Sequence, residues 1–285
     1  MIELQQHESL PIYAVSNHLA PLVKALGLER NIEEVKEQGY TVLEDVAPPE
    51  FFERLRAAIK RTCVEDRGNY FQILESGATA DLLLDRDPVF AEAAMNPKVL
   101  AMMEYMCGRN PLISQLACSL RYQGAKPMQL HCDNDWMPAP LPERNANTTA
   151  GWYCDEMTLE AGATKVVPRS HVKRRHPTPD EAAAEEGAAP LVAPPCSVGI
   201  WDSRLWHGNY GRTLPGERVV LHATYCRHMY RTLEDYSNLG QDFIDRYGPV
   251  MEQLLGRNLW YGNRANGNGA VDTNKYRLTY VSARR

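Results

Sequence analysis

The stretch LISQLACSLRY, at residues 112–122, marks the point where the chain changes from helical to β-rich patterning. After it, runs of strand-forming residues alternate with Pro, Gly and Asn, which are typical of turns. The predicted strands cover residues 112–122, 149–157, 164–167, 197–201 and 218–226. Many short strands separated by turns indicate a sandwich, barrel or jelly roll rather than βαβ units. We therefore expect a mainly β protein with an antiparallel core.

The residues before this core are predicted to be mostly helical. Residues 31–38 form a short helix that ends at Gly39, and residues 40–46 alternate like a strand. A Pro-Pro pair opens a second helix over residues 48–64, and a further helical stretch covers residues 88–107. This third of the chain is expected to pack against the β core.

The last part of the chain is predicted to add little to the core. Residues 178–190 form a short surface helix between strands, residues 240–256 a closing helix, and residues 262–269 a loop. We expect one domain over residues 1–285. Its parts are a helical support at 1–110, the β core at 111–230, and a helix and loop at 231–285.

Composition excludes several classes of protein. The 285 residues are 44% hydrophobic and 24% charged, which is ordinary for a globular domain and unlike disorder, collagen or a coiled coil. No run approaches the roughly 20 apolar residues of a membrane span, and the first residues do not resemble a secretory signal. The net charge of −5, with mixed signs, argues against a nucleic-acid partner. We expect no membrane partner either.

The cysteines indicate the compartment. Seven cysteines are scattered singly, without a CxxC pair, and their number is odd. Reduced thiols in a cytoplasmic protein are the expected interpretation. The sequence leaves the oligomeric state open.

Several catalytic motifs are missing. The chain has no GxGxxG after a strand, no Walker A loop, no GxSxG elbow and no HExxH. Dinucleotide-dependent hydride transfer, P-loop hydrolysis and α/β-hydrolase chemistry are therefore not expected.

The first positive signal is His131-Cys132-Asp133. Residues i and i+2 of a strand point to the same face, so His131 and Asp133 can present an imidazole and a carboxylate to one metal ion. The same pair also fits a surface histidine beside a turn aspartate.

A second histidine and an arginine extend this signal. His207 follows a strand-like run and precedes Gly208, and two His with one carboxylate form the facial triad of non-haem Fe(II) oxygenases. A packed histidine among tryptophans is the alternative. Arg218 opens an apolar strand, where a guanidinium can hold a dicarboxylate through two hydrogen bonds or reach into solvent.

In their order and spacing these motifs resemble the phytanoyl-CoA dioxygenase family. HCD is followed by EAGATKVVPRSH at 160–171, WDSRLWHG at 201–208 and Arg218, and the resemblance covers about residues 32–227. It implies a double-stranded β-helix, which is a cupin-like jelly roll, with flanking helices. It also implies an oxygenase that uses Fe(II), 2-oxoglutarate and O₂.

The resemblance assigns the site residues. It implies that His131, Asp133 and His207 bind the iron, and that Arg218 binds the distal carboxylate of 2-oxoglutarate. It also suggests further residues near the cosubstrate, namely Gln129, Asn209 and Trp152.

Two loops depart from the family pattern. Ala161-Gly162 replaces the usual Asn-Gly, and Pro168-Arg169-Ser170-His171 replaces Pro-Gly-Ser-His. Neither loop carries a predicted metal ligand, so the departures concern local shape. We expect His171 to be structural.

The predicted activity is hydroxylation, or another oxidation, of a small organic metabolite from natural-product or secondary metabolism, with release of succinate and CO₂. Asp133 argues against halogenation, because related halogenases lack this carboxylate. The aromatic residues available for a ring-containing substrate are Trp136, Trp201, Trp206, Trp260 and Tyr261. Residues 173–175 (Lys-Arg-Arg) fit either an acidic group of the substrate or a solvated face.

Two other classes of function stay open at the level of sequence. One is a redox-inert metal enzyme, such as a zinc isomerase or hydrolase on a cupin-like barrel. The other is a binding protein that keeps the barrel as a scaffold. A dicarboxylate-binding Arg218 favours the oxygenase, because the alternatives have no need for it.

Overall fold

A computed structural model of the chain describes residues 14–65, 71–74 and 76–258. The predicted loop at 262–269 and the aromatic residues Trp260 and Tyr261 lie outside this part of the chain. Within it, helices dominate up to residue 107 and short strands dominate afterwards.

The N-terminal part contains five helices and three strands among the described residues. In chain order they are α1 (Ala20–Leu26), α2 (Glu29–Gln38), β1 (Tyr40–Leu43), α3 (Pro49–Glu65), β2 (Phe71–Leu74), β3 (Gly77–Ala80), α4 (Pro88–Ala94) and α5 (Pro97–Cys107). Helix α2 ends at Gly39, whose φ of +88° is the left-handed conformation that glycine adopts most readily. The chain then enters β1 directly.

The remaining elements form the rest of the β core and the C-terminal helices. They are β4 (Leu112–Tyr122), β5 (Met128–His131), β6 (Asn147–Tyr153), β7 (Thr164–Val166), a 3₁₀ turn (Ser170–Lys173), α6 (Pro179–Ala184), β8 (Ala189–Pro190), β9 (Ser197–Asp202), β10 (His207–Asn209), β11 (Glu217–Cys226), α7 (Gln241–Tyr247) and α8 (Pro249–Leu254).

The strands form two antiparallel sheets. The larger has seven strands in the order β1-β9-β6-β11-β4-β3-β2, and the smaller has four in the order β5-β10-β7-β8. Between β4 and β7 consecutive strands alternate between the sheets: β4 and β6 lie in the large sheet, β5 and β7 in the small one. The pairs β2–β3, β3–β4 and β7–β8 instead lie side by side in one sheet. This is the predicted double-stranded β-helix, and the prediction of a mainly β fold with flanking helices is confirmed.

Alternating residues give the large sheet an apolar outer face. On β11, Val219, Leu221 and Ala223 join the main apolar core together with Leu55 of α3 and Met103 of α5. Successive strand residues point to opposite faces, so the residues between them face the small sheet. The helical N-terminal part therefore covers one face of the sheet and leaves the other to line the interior.

Several predicted elements differ at their ends. The helix expected at 88–107 is broken, because the Asn96 side chain accepts hydrogen bonds from Lys98 N (3.0 Å) and Val99 N (3.3 Å) and so caps a new helix. The helix expected at 240–256 is also divided: α7 ends at Gly248, whose φ is +79°, and Pro249 begins α8 without a side-chain cap.

The strands also differ in extent. Strand β1 ends at Leu43 instead of residue 46, and β6 covers 147–153 instead of 149–157. The segment 178–190 forms a helix only over Pro179–Ala184 and ends in the short strand β8. The strands β2, β3, β5 and β10 were not predicted, because strands of three or four residues carry too few alternations to be recognised. No helix in the described ranges is long and apolar enough to cross a bilayer.

Candidate metal centre

Two adjacent strands of the small sheet bring His131, Asp133 and His207 together. His131 ends β5, His207 begins β10, and the two are direct partners in the antiparallel ladder. Asp133 follows β5 by two residues. One nitrogen or oxygen atom of each side chain lies within 4.8 Å of the other two. These three residues form a cluster with the spacing of metal ligands.

A glycine permits the close approach of the two strands. A Cβ atom added to Gly208 would lie 2.5 Å from Met128 O and 2.8 Å from Gln129 O, which are backbone atoms of β5. A larger residue at this position would push β10 away from β5. Gly208 therefore allows His207 to lie opposite His131.

Backbone carbonyls orient both imidazoles. His131 Nδ1 lies 3.0 Å from Gln129 O, and His207 Nδ1 lies 2.9 Å from Leu205 O. Because a carbonyl only accepts, Nδ1 carries the proton in each ring, and Nε2 is left as the metal-binding atom. The two Nε2 atoms converge on Asp133 Oδ1, at 3.6 Å from His131 and 3.3 Å from His207.

Asp133 is held by its neighbours in an ionised state. Burial by itself raises the pKa of a carboxyl, but the adjacent His207 and His131 outweigh this and hold the pKa of Asp133 well below its ordinary value. Trp201 Nε1 donates to Asp133 Oδ2 at 3.3 Å and leaves Oδ1 towards the histidines. A carboxylate with one oxygen directed at two imidazoles fits a divalent cation.

The donor set fits iron. Two imidazole nitrogens and one carboxylate oxygen on one side of a site, with the opposite side open, form the facial triad that binds non-haem Fe(II). The open side is a cavity of about 460 Å³ that the three residues help to line. It has room for a cosubstrate and a small organic substrate beside the metal.

Several polar and titratable side chains lie on the cavity wall. Besides the triad and Trp201, its lining includes Asp81, Gln115, Arg121, Trp136, His222 and Thr224. Gln115 Nε2 lies 3.4 Å from Asp81 Oδ1, and burial raises the pKa of Asp81. A second cavity of about 320 Å³ shares Trp136, Asn147 and Leu233 with the first, so the two adjoin.

Arg218 lies behind this wall rather than on it. Its side chain is 1% exposed, and Nη1 donates to Gly162 O and approaches Asn209 Oδ1 at 3.4 Å. Burial, followed by the nearby Arg121, lowers the pKa of Arg218 to about 9. Asn209 itself lines the cavity and so connects Arg218 to the interior.

Gln129 has a different place from the one predicted. Its side chain is exposed and is not part of the cavity wall, but its backbone carbonyl orients His131. The residue therefore contacts the metal centre through its main chain. The side chain has no role in the cavity seen here.

Trp152 requires a correction. Its indole is fully buried on the outer face of the large sheet, with ring centroids 5.2 Å from Phe51 and 5.8 Å from Phe52 of α3. Strand β6 places Asn147 and Thr149 on the cavity, and Trp152 has the opposite parity. The structure therefore places Trp152 in the helix–sheet core and away from the cosubstrate.

The other aromatic and basic candidates divide between interior and surface. Trp201 and Trp136 line the cavity, whereas Trp206 is covered by Lys173 and Arg175, whose charged groups lie 3.9 and 4.9 Å from its ring centroid. Arg175 also forms a two-pronged ion pair with Glu181. This basic cluster belongs to the surface.

His171 has the surroundings of a structural residue. It is fully buried, and a Cβ atom at Gly39 would lie 2.6 Å from its Nδ1 atom. Burial lowers the pKa of His171, so the ring is neutral at physiological pH. It packs beneath the turn between α2 and β1, outside the metal cluster.

The cavity residues that the sequence pattern did not indicate include Asp81, Arg121 and His222. His222 could have been found, because it lies four residues after Arg218 on the same strand and thus on the same face. Arg121 and Asp81 lie on β4 and just after β3. Their position on the cavity depends on strand pairing, which the sequence pattern does not specify.

A double-stranded β-helix with two histidines and one aspartate at the mouth of its small sheet defines the class of non-haem iron oxygenases and their relatives. The family model for phytanoyl-CoA dioxygenase (PhyH) matches residues 35–218. The chain therefore belongs to the phytanoyl-CoA dioxygenase family, whose members use Fe(II), 2-oxoglutarate and O₂. The predicted resemblance is confirmed.

Individual relatives are more distant. An uncharacterized protein of Mycobacterium tuberculosis, Rv1501, is 32% identical over 125 residues, which is 44% of each chain. The chain thus matches less than half the length of this relative. Among solved structures, EctD from S. alaskensis has a TM-score of 0.61 and 20% identity over 72% of this chain and 78% of its own.

A second similar structure is SnoN, a non-haem α-ketoglutarate-dependent epimerase from nogalamycin biosynthesis. It has a TM-score of 0.62 and 19% identity, and the match covers 75% of this chain and 91% of SnoN. At these identities the likeness supports the fold alone.

Proposed function

We propose that this protein is an Fe(II)- and 2-oxoglutarate-dependent oxygenase that oxidises a small organic metabolite. The observation that carries the proposal is the placement of His131, Asp133 and His207 on the wall of one cavity, with the buried Arg218 just behind that wall, next to Asn209. In the proposed hydroxylation, one O₂, one 2-oxoglutarate and one substrate C–H group give an alcohol, succinate and CO₂. Bound Fe(II) supplies the O₂-dependent oxidation and the coupled decarboxylation of the cosubstrate.

The protein contributes orientation and charge. The carbonyls of Gln129 and Leu205 fix both imidazoles with Nε2 towards the cavity, and Trp201 fixes the carboxylate. Such outer contacts reduce the freedom of the ligands before the metal binds. Arg218 supplies a buried positive charge for the distal carboxylate of 2-oxoglutarate, reached past Asn209.

The cavity suggests what the substrate contains. Asp81 and Gln115 offer partners for a hydroxyl or amino group, and they lie on the cavity wall at a distance from the arginine end. The adjoining cavity is lined by apolar side chains that suit a ring or alkyl portion, including Met137, Ala146 and Leu233. An intermediate of natural-product or secondary metabolism with a polar end and an apolar body fits both spaces. SnoN, which shares this fold, comes from nogalamycin biosynthesis.

The alternative function is a redox-inert isomerase or hydrolase with the same metal ligands. The buried guanidinium of Arg218 favours the oxygenase, because it is 1% exposed and has no carboxylate partner among the described residues. A charge held in this way is costly unless a ligand pairs with it. Retention of Asp133 also supports oxygenation over halogenation.

The test is substrate-dependent formation of succinate. Protein loaded with Fe(II) under anaerobic conditions is mixed with O₂, 2-oxoglutarate and a panel of metabolites, and succinate and oxidised product are measured together. We expect equal amounts of both for the true substrate and none for His131→Ala. Arg54→Gln, which removes a surface ion pair with Glu92, is the matched control and keeps activity. Product formed without O₂ and 2-oxoglutarate would support the isomerase or hydrolase instead.

We also propose a cytoplasmic location and a single domain over residues 1–285. All seven cysteines are free thiols, as a reducing compartment would maintain them. Helices α3 and α5 share one apolar core with the large sheet, which supports a single folding unit. Recovery of the protein in the cytoplasmic fraction of cells would support the location. A single unfolding transition would support the single domain.

A further inference from the structure

Arg121 and Arg218 form a cross-strand pair of like charge inside the β-helix. They are direct partners in the antiparallel ladder between β4 and β11. Directly opposite residues of such a ladder point to the same face, with Cβ atoms about 5 Å apart. Arg121 is 8% exposed and lines the cavity next to the His131–Asp133–His207 cluster, whereas Arg218 lies behind Asn209. The guanidinium that faces the cavity directly is therefore that of Arg121.

Neither arginine has an anionic partner within hydrogen-bonding distance among the described residues. Arg121 Nη1 donates to Lys126 O at 3.1 Å, and Arg218 Nη1 donates to Gly162 O. The Nε atoms of both side chains are buried without a hydrogen-bond partner. Each guanidinium thus has donors that the protein itself does not use.

A third buried arginine adds to the positive charge. Arg212 is 7% exposed and donates to Ala161 O at 3.0 Å and to Pro215 O at 2.7 Å, again without a carboxylate. Its charge, like that of Arg121, lowers the pKa of Arg218. Arg212 does not line the cavity. Its guanidinium therefore adds to the positive electrostatic potential near Arg218 but does not contact a ligand in the cavity.

Such an arrangement lowers the stability of the protein alone. Like charges on directly opposite strand residues repel, and buried donors without partners carry a desolvation penalty. Both penalties disappear when an anion with several acceptor oxygens binds between the two side chains. A carboxylate offers two oxygens with about four acceptor positions, and arginine pairs with it through two parallel hydrogen bonds.

We propose that Arg121 is a cosubstrate-binding residue, and that Arg121 and Arg218 bind the distal carboxylate of the 2-oxo dicarboxylic acid between them. This inference rests on the proposed function for the identity of the ligand. Arg218 approaches the carboxylate from β11, and Arg121 approaches it from β4 on the cavity side. Arg121 thereby contributes to selectivity for a 2-oxo acid that carries a second carboxylate.

The test compares two ligands on two proteins. Wild-type and Arg121→Gln proteins are loaded with redox-inert Ni(II), and the Kd of 2-oxoglutarate and of 2-oxobutyrate, which lacks the distal carboxylate, is measured by calorimetry. We expect Arg121→Gln to raise the Kd of 2-oxoglutarate by about tenfold or more, because one charge-assisted contact is lost. The Kd of 2-oxobutyrate should stay within about twofold, since the removed interaction involves a group this ligand lacks.

Thermal unfolding without ligand gives an independent readout. Relief of the like-charge pair should leave the Tm of Arg121→Gln equal to or above that of the wild type, and shrink the rise in Tm that 2-oxoglutarate causes. Arg121→Lys should bind 2-oxoglutarate with intermediate affinity, because it keeps the charge but not the planar fork. Arg227→Gln is the matched control. Arg227 is a partly buried arginine outside the cavity that donates to Asn145 O at 2.5 Å, and its loss should lower the Tm without changing either Kd.

The outcomes separate the two proposals. A wild-type protein that binds 2-oxoglutarate and an Arg121→Gln variant that binds it equally well would overturn the role of Arg121 alone. Equal weakening of both ligands would overturn it as well and assign Arg121 to the fold or to the chelating end. A metal-loaded wild type that binds no 2-oxoglutarate would contradict the proposed function itself.

Discussion

The seven-stranded sheet has two faces that differ in chemistry although alternate residues of the same strands build both. On β11, Val219 and Leu221 face the helices within the apolar core, while Arg218 and His222 face the interior. The outer face gains stability by removing apolar area from water, and the inner face holds charges that lower the stability of the empty protein. On β11, neighbouring residues therefore serve different purposes: one packs in the apolar core, and the next faces the ligand cavity.

Substitution of a metal ligand should give the largest effect on function with little effect on the fold. Asp133→Ala removes the only carboxylate of the triad, and we expect metal affinity and turnover to fall more than about 100-fold, since even outer-shell changes cost 10–100-fold. The Tm of the metal-free protein should change by less than about 4 °C, equivalent to about 1 kcal/mol for a chain of this size. Metal titration and thermal unfolding test this. A collapse of the Tm would assign Asp133 to the fold.

Substitution on the outer face should give the opposite result. Trp152→Ala removes an indole packed between Phe51 and Phe52, and we expect a loss of about 3–5 kcal/mol in the free energy of unfolding. Denaturant titration measures this loss. The Kd of 2-oxoglutarate for the folded fraction should stay within about twofold. A larger change in Kd at unchanged stability would return Trp152 to the cosubstrate site.

The inner face should also make the stability of the protein depend on pH in the acid range. Burial, followed by Arg218, lowers the pKa of His222 to about 3, whereas the unfolded chain titrates near 6.5. As the pH falls, His222 takes up a proton in the unfolded chain before it does so in the folded protein. The free energy of unfolding is therefore unaffected by this group above pH 6.5 and decreases as the pH falls from 6.5 towards 3. The expected slope is about 1 kcal/mol per pH unit.

A single variant isolates this contribution. His222→Gln, measured by denaturant unfolding between pH 4 and pH 7, should show a flatter acid limb than the wild type. Equal slopes in the two proteins would assign the acid sensitivity to other groups.

The smallest effect is expected at Gln129. Its backbone carbonyl orients His131, while its side chain is exposed, so Gln129→Ala should keep metal affinity and turnover within about twofold. Steady-state kinetics with the identified substrate, or the Kd of 2-oxoglutarate before one is known, would check this. A tenfold loss would show that the side chain reaches the cosubstrate after all.

Much of the site could be predicted because its members are linked by short spacings. His131 and Asp133 are two residues apart, and Arg218 opens a long apolar run, so the local pattern made them candidates and the order of the motifs along the chain, through the family resemblance, assigned their roles. Asn209, two residues after His207, was indicated by the resemblance. The short strands β5 and β10, which carry the two histidines of the triad, were not predicted as strands. The motifs that contain these histidines were nevertheless recognised.

Other positions depended on pairing between distant strands. Trp152 and Thr149 lie on the same predicted strand at positions of opposite parity, so only one of them can face the cavity. A shift of one residue in register exchanges the two faces of a strand. The resemblance placed Trp152 near the cosubstrate because of its strand, but the face on which Trp152 lies is set by the pairing of β6 with β9 and β11.

The sequence by itself determined the family and the mainly β fold, and it marked His131, Asp133, His207 and Arg218 as candidates, because each lies in a short motif that local sequence can show. The tertiary structure decided that Arg121 stands opposite Arg218 and that Asp81 reaches the cavity, because antiparallel pairing joins β3, β4 and β11 across up to about 140 residues. It also decided that Trp152 supports the helices. Side chains on neighbouring strands become neighbours only when the register is set, and the whole core sets it.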